Sequence, residues 1–399
     1  MRVLFSVLAF LSLLASPSAI QSTRQIVRAG ADLKLPFSPA VKAGKFIYLS
    51  GALATDETGR FASGDIQAQT RRVLDNLARV LKAAGSRLEN AASVNVYLRS
   101  AADFPAMNEV YKGYWPKDPP ARTTVMANLA MPEALIEMSM IAVPDGAERQ
   151  VVHPSGWVKS PNPYSYGIRS GDTMYLAGLL ARRGKDNAFV AGDIKIQTQT
   201  VMDNAGEILK AGGMTLADVA GTRVYITDTA LFQDMNAAYR TYFPRNPPAR
   251  ATVRTTLMSP EAMVEISLVA VTGGVRDALN PPNADGSPAQ PNPNLSSAIR
   301  IGNRLFLSGM LGNDASNKGD AAGQTRATLA RIARTLNAAG FDWPDVVDAT
   351  VYLTDMKNMN AMNEAYREVF KADPPARVTA GTGLVSPDAL VEIMVTASK

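Results

Sequence analysis

This chain is written three times over. The string Asp118-Pro119-Pro120-Ala121-Arg122 returns as Asn246-Pro247-Pro248-Ala249-Arg250 and as Asp373-Pro374-Pro375-Ala376-Arg377. From Arg122 to Arg250 to Arg377 the steps are 128 and 127 residues. The same steps relate Tyr97, Tyr225 and Tyr352, then Asn108, Asn236 and Asn363, then Glu137, Glu265 and Glu392. Several unrelated residue types in one register are no accident, and a period of this length means a whole small domain repeated. The 399 residues suit such an arrangement and exclude one ordinary domain.

The copies fall out of register in one place. Ser50-Gly51, Ala177-Gly178 and Ser308-Gly309 align, but Gln69, Gln197 and Gln324 follow those glycines at 18, 19 and 15 residues. A length change of this kind belongs on a surface loop, expected here at a hairpin tip. The stretches 144–163 and 273–293 are rich in Pro, Gly, Ser and Asn and read as linkers. The copies are therefore placed at 30–146, 158–274 and 290–399, behind a separate segment at 1–19.

Within one copy, the aromatic and β-branched run Phe46 to Gly51 reads as a strand. Ile66, Val73, Leu77, Val80, Leu81 and Ala84 mark one helical face, and Gly85 stops the helix, as Gly213 and Gly340 do later. The run Val94 to Leu98 is a second strand. Asp103 and Pro105 start a second helix carrying Met107, Val110, Tyr111 and Tyr114. Pro119-Pro120 force the chain extended, Arg122 to Met126 follows as a strand, and Ala134 to Val143 is a final apolar strand with Glu137 inside it. The order β-β-α-β-α-β-β predicts an α+β domain, one sheet with both helices on one face. Because the last strand is apolar throughout, the sheet's other face must be covered too, which the copies packing together would achieve.

The composition removes several kinds of chemistry. There are no cysteines, so no disulfide, thiolate nucleophile or Cys-bound zinc. The single histidine, His153, lies in a linker and argues against a multi-histidine metal site and against paired-histidine ribonuclease chemistry. The net charge of +5 comes from scattered Lys and Arg, with no basic run to track a nucleic acid. No phosphate-binding glycine loop is present. Neither a metal nor an organic cofactor is expected. At the N-terminus, Arg2, the apolar stretch Val3 to Ala15 and then Ser16-Pro17-Ser18-Ala19 follow the secretory-signal pattern, and the apolar stretch is short for a membrane span. Cleavage near Ser18 or Ala19 would leave a periplasmic or secreted chain with no membrane attachment; an uncleaved anchor is the alternative.

Taken in order, Phe37-Ser38-Pro39-Ala40, Ser50-Gly51, Asn108-Glu109-Val110-Tyr111, Pro120-Ala121-Arg122 and the strand from Glu137 to Val143 resemble the RidA/YjgF family, also labelled enamine/imine deaminases or L-PSP. The resemblance covers nearly all of the chain beyond residue 30, three times. It implies a chorismate-mutase-like domain. Family members are homotrimers with ligand sites between subunits, so it also implies a single-chain pseudo-trimer with three inter-repeat clefts. It assigns carboxylate-clamping roles to Arg122, Arg250 and Arg377, and an acidic role to Glu137, Glu265 and Glu392. Substrate-binding roles fall to Phe37, Ser50, Gly51, Asn108, Tyr164, Gly178, Asn236, Ser308, Gly309 and Asn363. The third copy departs from the aromatic position with Leu295 before Ser296, and the second has Ala177 where the others have serine. Thr124, Thr252 and Thr379 stand where many members carry cysteine.

The residues themselves leave some roles open. A guanidinium fork meets a carboxylate in two parallel hydrogen bonds, yet each arginine could instead be a structural partner of the glutamate on a neighbouring strand. A glutamate in an apolar strand either pairs or has its pKa raised, which would suit moving a proton or orienting water. The asparagines could bind ligand or satisfy backbone. The serines have no neighbouring base motif to make them nucleophiles. The function implied by the resemblance is hydrolysis of a 2-enamino or 2-imino acid to a 2-keto acid and ammonia at the clefts, on a small carboxylate-bearing imine or enamine. The alternatives are a non-catalytic small-carboxylate binder or holdase-like protein and, ranked below it, an endoribonuclease.

Overall fold

The computed structural model describes residues 24–30 and 34–399; the expected signal segment 1–19 lies outside the described residues. In the first copy the elements are β1 (Gln25–Val27), β2 (Ala40–Ala43), β3 (Phe46–Ala52), α1 (Ile66–Ala83), β4 (Ala91–Leu98), α2 (Phe104–Tyr114), β5 (Ala121–Met126) and β6 (Ile136–Ala142). Asp65 caps α1 by accepting from the Ala68 N–H at 2.8 Å, and Asp193 and Asp320 do the same in the other copies. Gly85 ends it at φ +75°, a left-handed position that glycine takes without a Cβ clash. The predicted apolar face of α1 is the buried one, with Val80 half-buried at its margin.

The strands form a sheet in the order β1-β2-β3-β6-β4-β5, in which β4 and β5 run parallel and every other neighbouring pair antiparallel. Pairing β4 with β5 in parallel needs a crossover, and α2 supplies it. Both helices pack on one face, where Leu74, Leu77 and Met107 meet Val94, Val96 and Met138. The other two copies repeat this core around Val201, Ile208 and Val224, and around Leu329, Ile332 and Val351.

The expected order β-β-α-β-α-β-β lacks one element. A short leading strand opens each copy, and two of the three lie inside the stretches read as linkers: Gln150–Val152 and Arg276–Leu279. Three or four residues between Pro- and Gly-rich segments leave no periodicity to read. These strands also tie the copies together. Arg149 donates to the carbonyls of Ala91 (2.8 Å) and Asp118 (3.0 Å), and Arg276 to those of Val219 (3.1 Å) and Asn246 (2.9 Å). Arg24 closes the circle by donating to Asp373 of the third copy at 2.7 Å. Asp118, Asn246 and Asp373 hold φ of +52°, +49° and +46°, which explains Asp or Asn ahead of each Pro-Pro, since these side chains tolerate that region best after glycine. Replacing Arg149 by alanine is expected to cost about 1.5–3 kcal/mol, the range for hydrogen bonds from a charged group, read as a lower denaturant midpoint at unchanged slope.

The three sheets turn their second faces to a common pseudo-threefold axis. Tyr97, Tyr225 and Tyr352 meet there with Val125, Val253 and Val378 in one apolar cluster drawn from all copies. Short backbone pairings close the ring: Val125 with Leu257, Val253 with Leu384, and Asn128 with Gly381. The chain is thus a single-chain pseudo-trimer. Its axis is not symmetric, however. At one level stand Asn95, Arg223 and Thr350, and Arg223 lies 4.0 Å from Asp348 beside a small axial cavity of about 40 Å³.

Candidate active site

Each interface between copies is built from the same parts. The arginine on β5 of one copy faces the strand-ending glycine and the last-strand glutamate of the next. Arg122 meets Gly178 and Glu265, Arg250 meets Gly309 and Glu392, and Arg377 meets Gly51 and Glu137. The Gly178 N–H donates to the Arg122 carbonyl and the Gly309 N–H to that of Arg250, both at 3.1 Å. Ser38, Ser165 and Ser296 hold the joint from the other side: their hydroxyls donate to Pro374, Pro119 and Pro247 at 2.6, 2.6 and 2.7 Å. The Pro-Pro turn that makes the strand extended is therefore also the docking rail for the next copy.

The arginines are 2–4% exposed and the glutamates 3–5%. Yet among the described residues no ion pair within 4 Å joins any of these arginines to a carboxylate. The structural Arg–Glu pair considered above is not formed. Instead the guanidinium is held by the second helix of its own copy, Phe104–Tyr114, Phe232–Tyr239 or Met359–Val369. Arg250 donates to Asn236 Oδ1 and Arg377 to Asn363 Oδ1, each at 2.7 Å. The guanidinium carbons of Arg122, Arg250 and Arg377 lie 4.6, 4.8 and 4.8 Å from the ring centres of Tyr111, Tyr239 and Tyr366. Asn and Tyr three apart share one helix face, so a single helix places both. Arg122 Nη1, Arg250 Nε and Nη1, and Arg377 Nε remain buried without a protein partner. Such donors are costly to leave unmet, so they are available to an incoming acceptor.

Burial pushes Glu137, Glu265 and Glu392 up to about 8, against the smaller opposing pull of Arg377, Arg122 and Arg250. The amides of Thr124 and Thr252 also pull Glu265 and Glu392 down. Burial thus favours the protonated form of each glutamate. Burial likewise lowers Arg377, to about 10, and lowers Arg122 and Arg250. The glycines are required by close approach: a Cβ on Gly51, Gly178 or Gly309 would sit 1.9, 1.9 or 1.8 Å from the glutamate oxygen.

The structure brings nearly all sequence-predicted site residues into these three clefts, with differences among them. Phe37 lies 5.2 Å from the Arg377 guanidinium and Tyr164 6.0 Å from that of Arg122, while the second interface has Leu295 and no ring at that position. Ser50 and Ser308 have their hydroxyl hydrogens committed, to the carbonyls of Ser38 (2.6 Å) and Ser296 (2.7 Å). Both also accept from the arginine backbone N–H of the adjoining copy at 2.8 Å. In the interface with Ala177 no hydroxyl stands there. Asn108 does not hold its arginine; it donates to Asn162 at 3.3 Å. His153 is exposed and hydrogen-bonds the Trp157 carbonyl.

Sequence reasoning missed Tyr111, Tyr239 and Tyr366 as site residues, naming Tyr111 only as part of its helix and motif. The threefold recurrence of Asn-x-x-Tyr on the second helix was the available signal. It also missed Arg24, Arg149 and Arg276, which recur at nearly the repeat spacing. The interface joining the first and second copies is a cleft of about 380 Å³, lined by Arg122, Tyr164, Gly178, Arg182 and Glu265 among others.

The three domains form a ring with a buried arginine and a buried glutamate at each joint, the arrangement of a tandem-repeat pseudo-trimer. The chain belongs to the endoribonuclease L-PSP family, the RidA/YjgF group, whose family model matches residues 31–144, 157–272 and 287–399. It is similar to the 3-aminoacrylate deaminase RutC of Acinetobacter baylyi, 42% identical over 108 residues, 27% of this chain and 86% of that protein. It is similar to Reactive Intermediate Deaminase A, chloroplastic, of Arabidopsis thaliana, 34% identical over 134 residues, 33% of this chain and 72% of that protein. A chorismatase crystal structure shares the fold across the repeats, with a TM-score of 0.51 at 14% identity, covering 78% of this chain and 93% of that one.

Proposed function

We propose that the chain hydrolyses small 2-imino or 2-enamino acids to 2-keto acids and ammonia at its inter-repeat clefts. The observation that carries this is the coexistence, in each cleft, of a buried arginine with unmet N–H groups and a buried glutamate that forms no ion pair with it, whose pKa burial raises. The names of the deaminase relatives support the same class of substrate. The guanidinium takes the substrate carboxylate. The glutamic acid gives its proton to the imine nitrogen. Water adds to C2, and the carboxylate so formed takes a proton from that water. The carbinolamine then expels ammonia and leaves the keto acid. Imines of this kind already react with water, so holding the reactants in place supplies a large part of the effect.

The test generates 2-iminopropanoate in situ with an amino-acid oxidase, with semicarbazide competing for the imine. The chain should increase the fraction that appears as keto acid. No acceleration by folded protein would favour a non-catalytic carboxylate binder. The pH profile has a definite sign: the active form carries the glutamic proton, so kcat/KM should be flat below pH 8 and fall about tenfold per unit above it. A profile that instead rises through pH 8 would identify the ionised glutamate as the working form. We propose further that the N-terminal stretch 1–19 exports the chain, to be checked by fractionation of the producing cells.

A further inference from the structure

The three clefts share a design but not a charge, and the difference lies in the loop that changes length between copies. Four residues past the aligned glycines stand Thr55, Arg182 and Asn313. The structure confirms that the three are equivalent. Thr55 pairs with Phe61 as Arg182 does with Phe189, and Asn313 reaches Ser386 as Arg182 reaches the matching Ser259. Only the second copy places a cation here, and it lines the same 380 Å³ cleft as Arg122 and Glu265.

Arg182 is half-buried and held in place. It donates to the Asn187 carbonyl at 3.1 Å and to Ser259 Oγ at 3.0 Å, with its guanidinium carbon 5.7 Å from the Phe189 ring centre. Among the described residues no ion pair within 4 Å includes it. Glu261 also lines the cleft, its Oε2 accepting from Ser259 Oγ at 2.9 Å and its carboxylate attracted to Arg182 through that shared hydroxyl. Acidic residues stand at the matching positions of the other copies, Glu133 and Asp388, so Glu261 does not set this cleft apart. Arg122 is the one clamp arginine with no hydrogen bond to its asparagine: Asn108 donates to Asn162, and both its Oδ1 and Arg122 Nη1 are left buried without a protein partner. Two guanidinium groups on one half-open cleft, beside a glutamate whose proton is held tightly by burial, favour a ligand with two negative groups.

We propose that the cleft between the first and second copies selects small dicarboxylates, the imines of acidic amino acids and their keto-acid products, with Arg182 as the specificity-determining residue. The inference rests on reading Arg122 as a carboxylate clamp and gives that site a substrate class. The other two clefts, with Thr55 and Asn313, are the monocarboxylate sites.

Calorimetry on the whole chain tests it with stable keto acids. 2-Oxoglutarate should bind at one site per chain, about tenfold or more tighter than 2-oxobutyrate. Arg182→Asn, which installs the residue of the third copy, should bring the two affinities within about threefold of each other. Arg183→Ala, which removes the exposed neighbouring cation paired with Asp186 at 2.8 Å, should leave the ratio as it is. Equal affinities in the wild type, a ratio unmoved by Arg182→Asn, or no measurable binding of 2-oxoglutarate each overturns the proposal. Imine hydrolysis is followed on the same preparations. Tight, Arg182-dependent binding without hydrolysis would remove the deaminase reading and leave this one standing. Hydrolysis of 2-iminopropanoate with no dicarboxylate preference would do the reverse.

Discussion

Replacing Arg122, Arg250 and Arg377 together by alanine should return imine hydrolysis to the uncatalysed rate, a loss of roughly 10²–10³-fold, as for removal of a main charge-stabilising donor. The three clefts are separate, so each single change should remove only the share of its own cleft, and the three shares measure how the work is divided. The triple variant loses three buried cations that the protein pairs with no carboxylate, so the loss of charge itself should not unfold it. The vacated space should cost stability, and circular dichroism with a melting curve checks that the variant is folded. A folded triple variant that still accelerated hydrolysis would place the chemistry elsewhere.

Gly51→Ala, Gly178→Ala and Gly309→Ala should be nearly as damaging to activity. The added methyl would occupy the position of the glutamate oxygen, and it also meets Val378, Thr123 and Ala251 of the adjoining copy at 3.0 Å in each case. The carboxyl end of the side chain is the mobile party, so it swings out and the fold yields less than the site does. A drop of about 1–3 kcal/mol in stability is expected for such overpacking. The activity of the affected cleft should fall as far as it does in the matching glutamate-to-glutamine variant. Combining the two changes in one cleft should add little to either, because both remove the same proton. Full additivity would show that the glycine serves something other than the glutamate.

Much of this was legible in the sequence because the chain states each choice three times. The Pro-Pro-Ala-Arg string, the glycine stops and the apolar face of α1 are local signals, and the structure places them as read. What was not legible depends on contacts between copies. Arg149 looks like an ordinary surface residue until its strand is seen clasping the Asp118 carbonyl of the preceding copy. Ser50 looks like a ligand-binding hydroxyl until Ser38 and Arg377 are seen to occupy it. Asn108, identical in type to Asn236 and Asn363, has a different partner, Asn162 from the linker. Residue identity carries the motif; the partner across a joint decides its task.

The axis has a consequence for how such a chain can change. In an assembly of three identical subunits, any substitution near the axis is made in triplicate, and an arginine there would bring three like charges together with no neighbour able to differ. Covalent fusion lifts that restriction. Here one copy contributes Arg223, another the Asp348 opposite it, and the first neither, with Asn95 and Ser93 at those levels. Burial raises Asp348 to about 6, and Arg223 offsets part of that rise. Each copy has thereby become the fitting neighbour of two particular others, and exchanging their order along the chain would strand a charge at the centre of the ring.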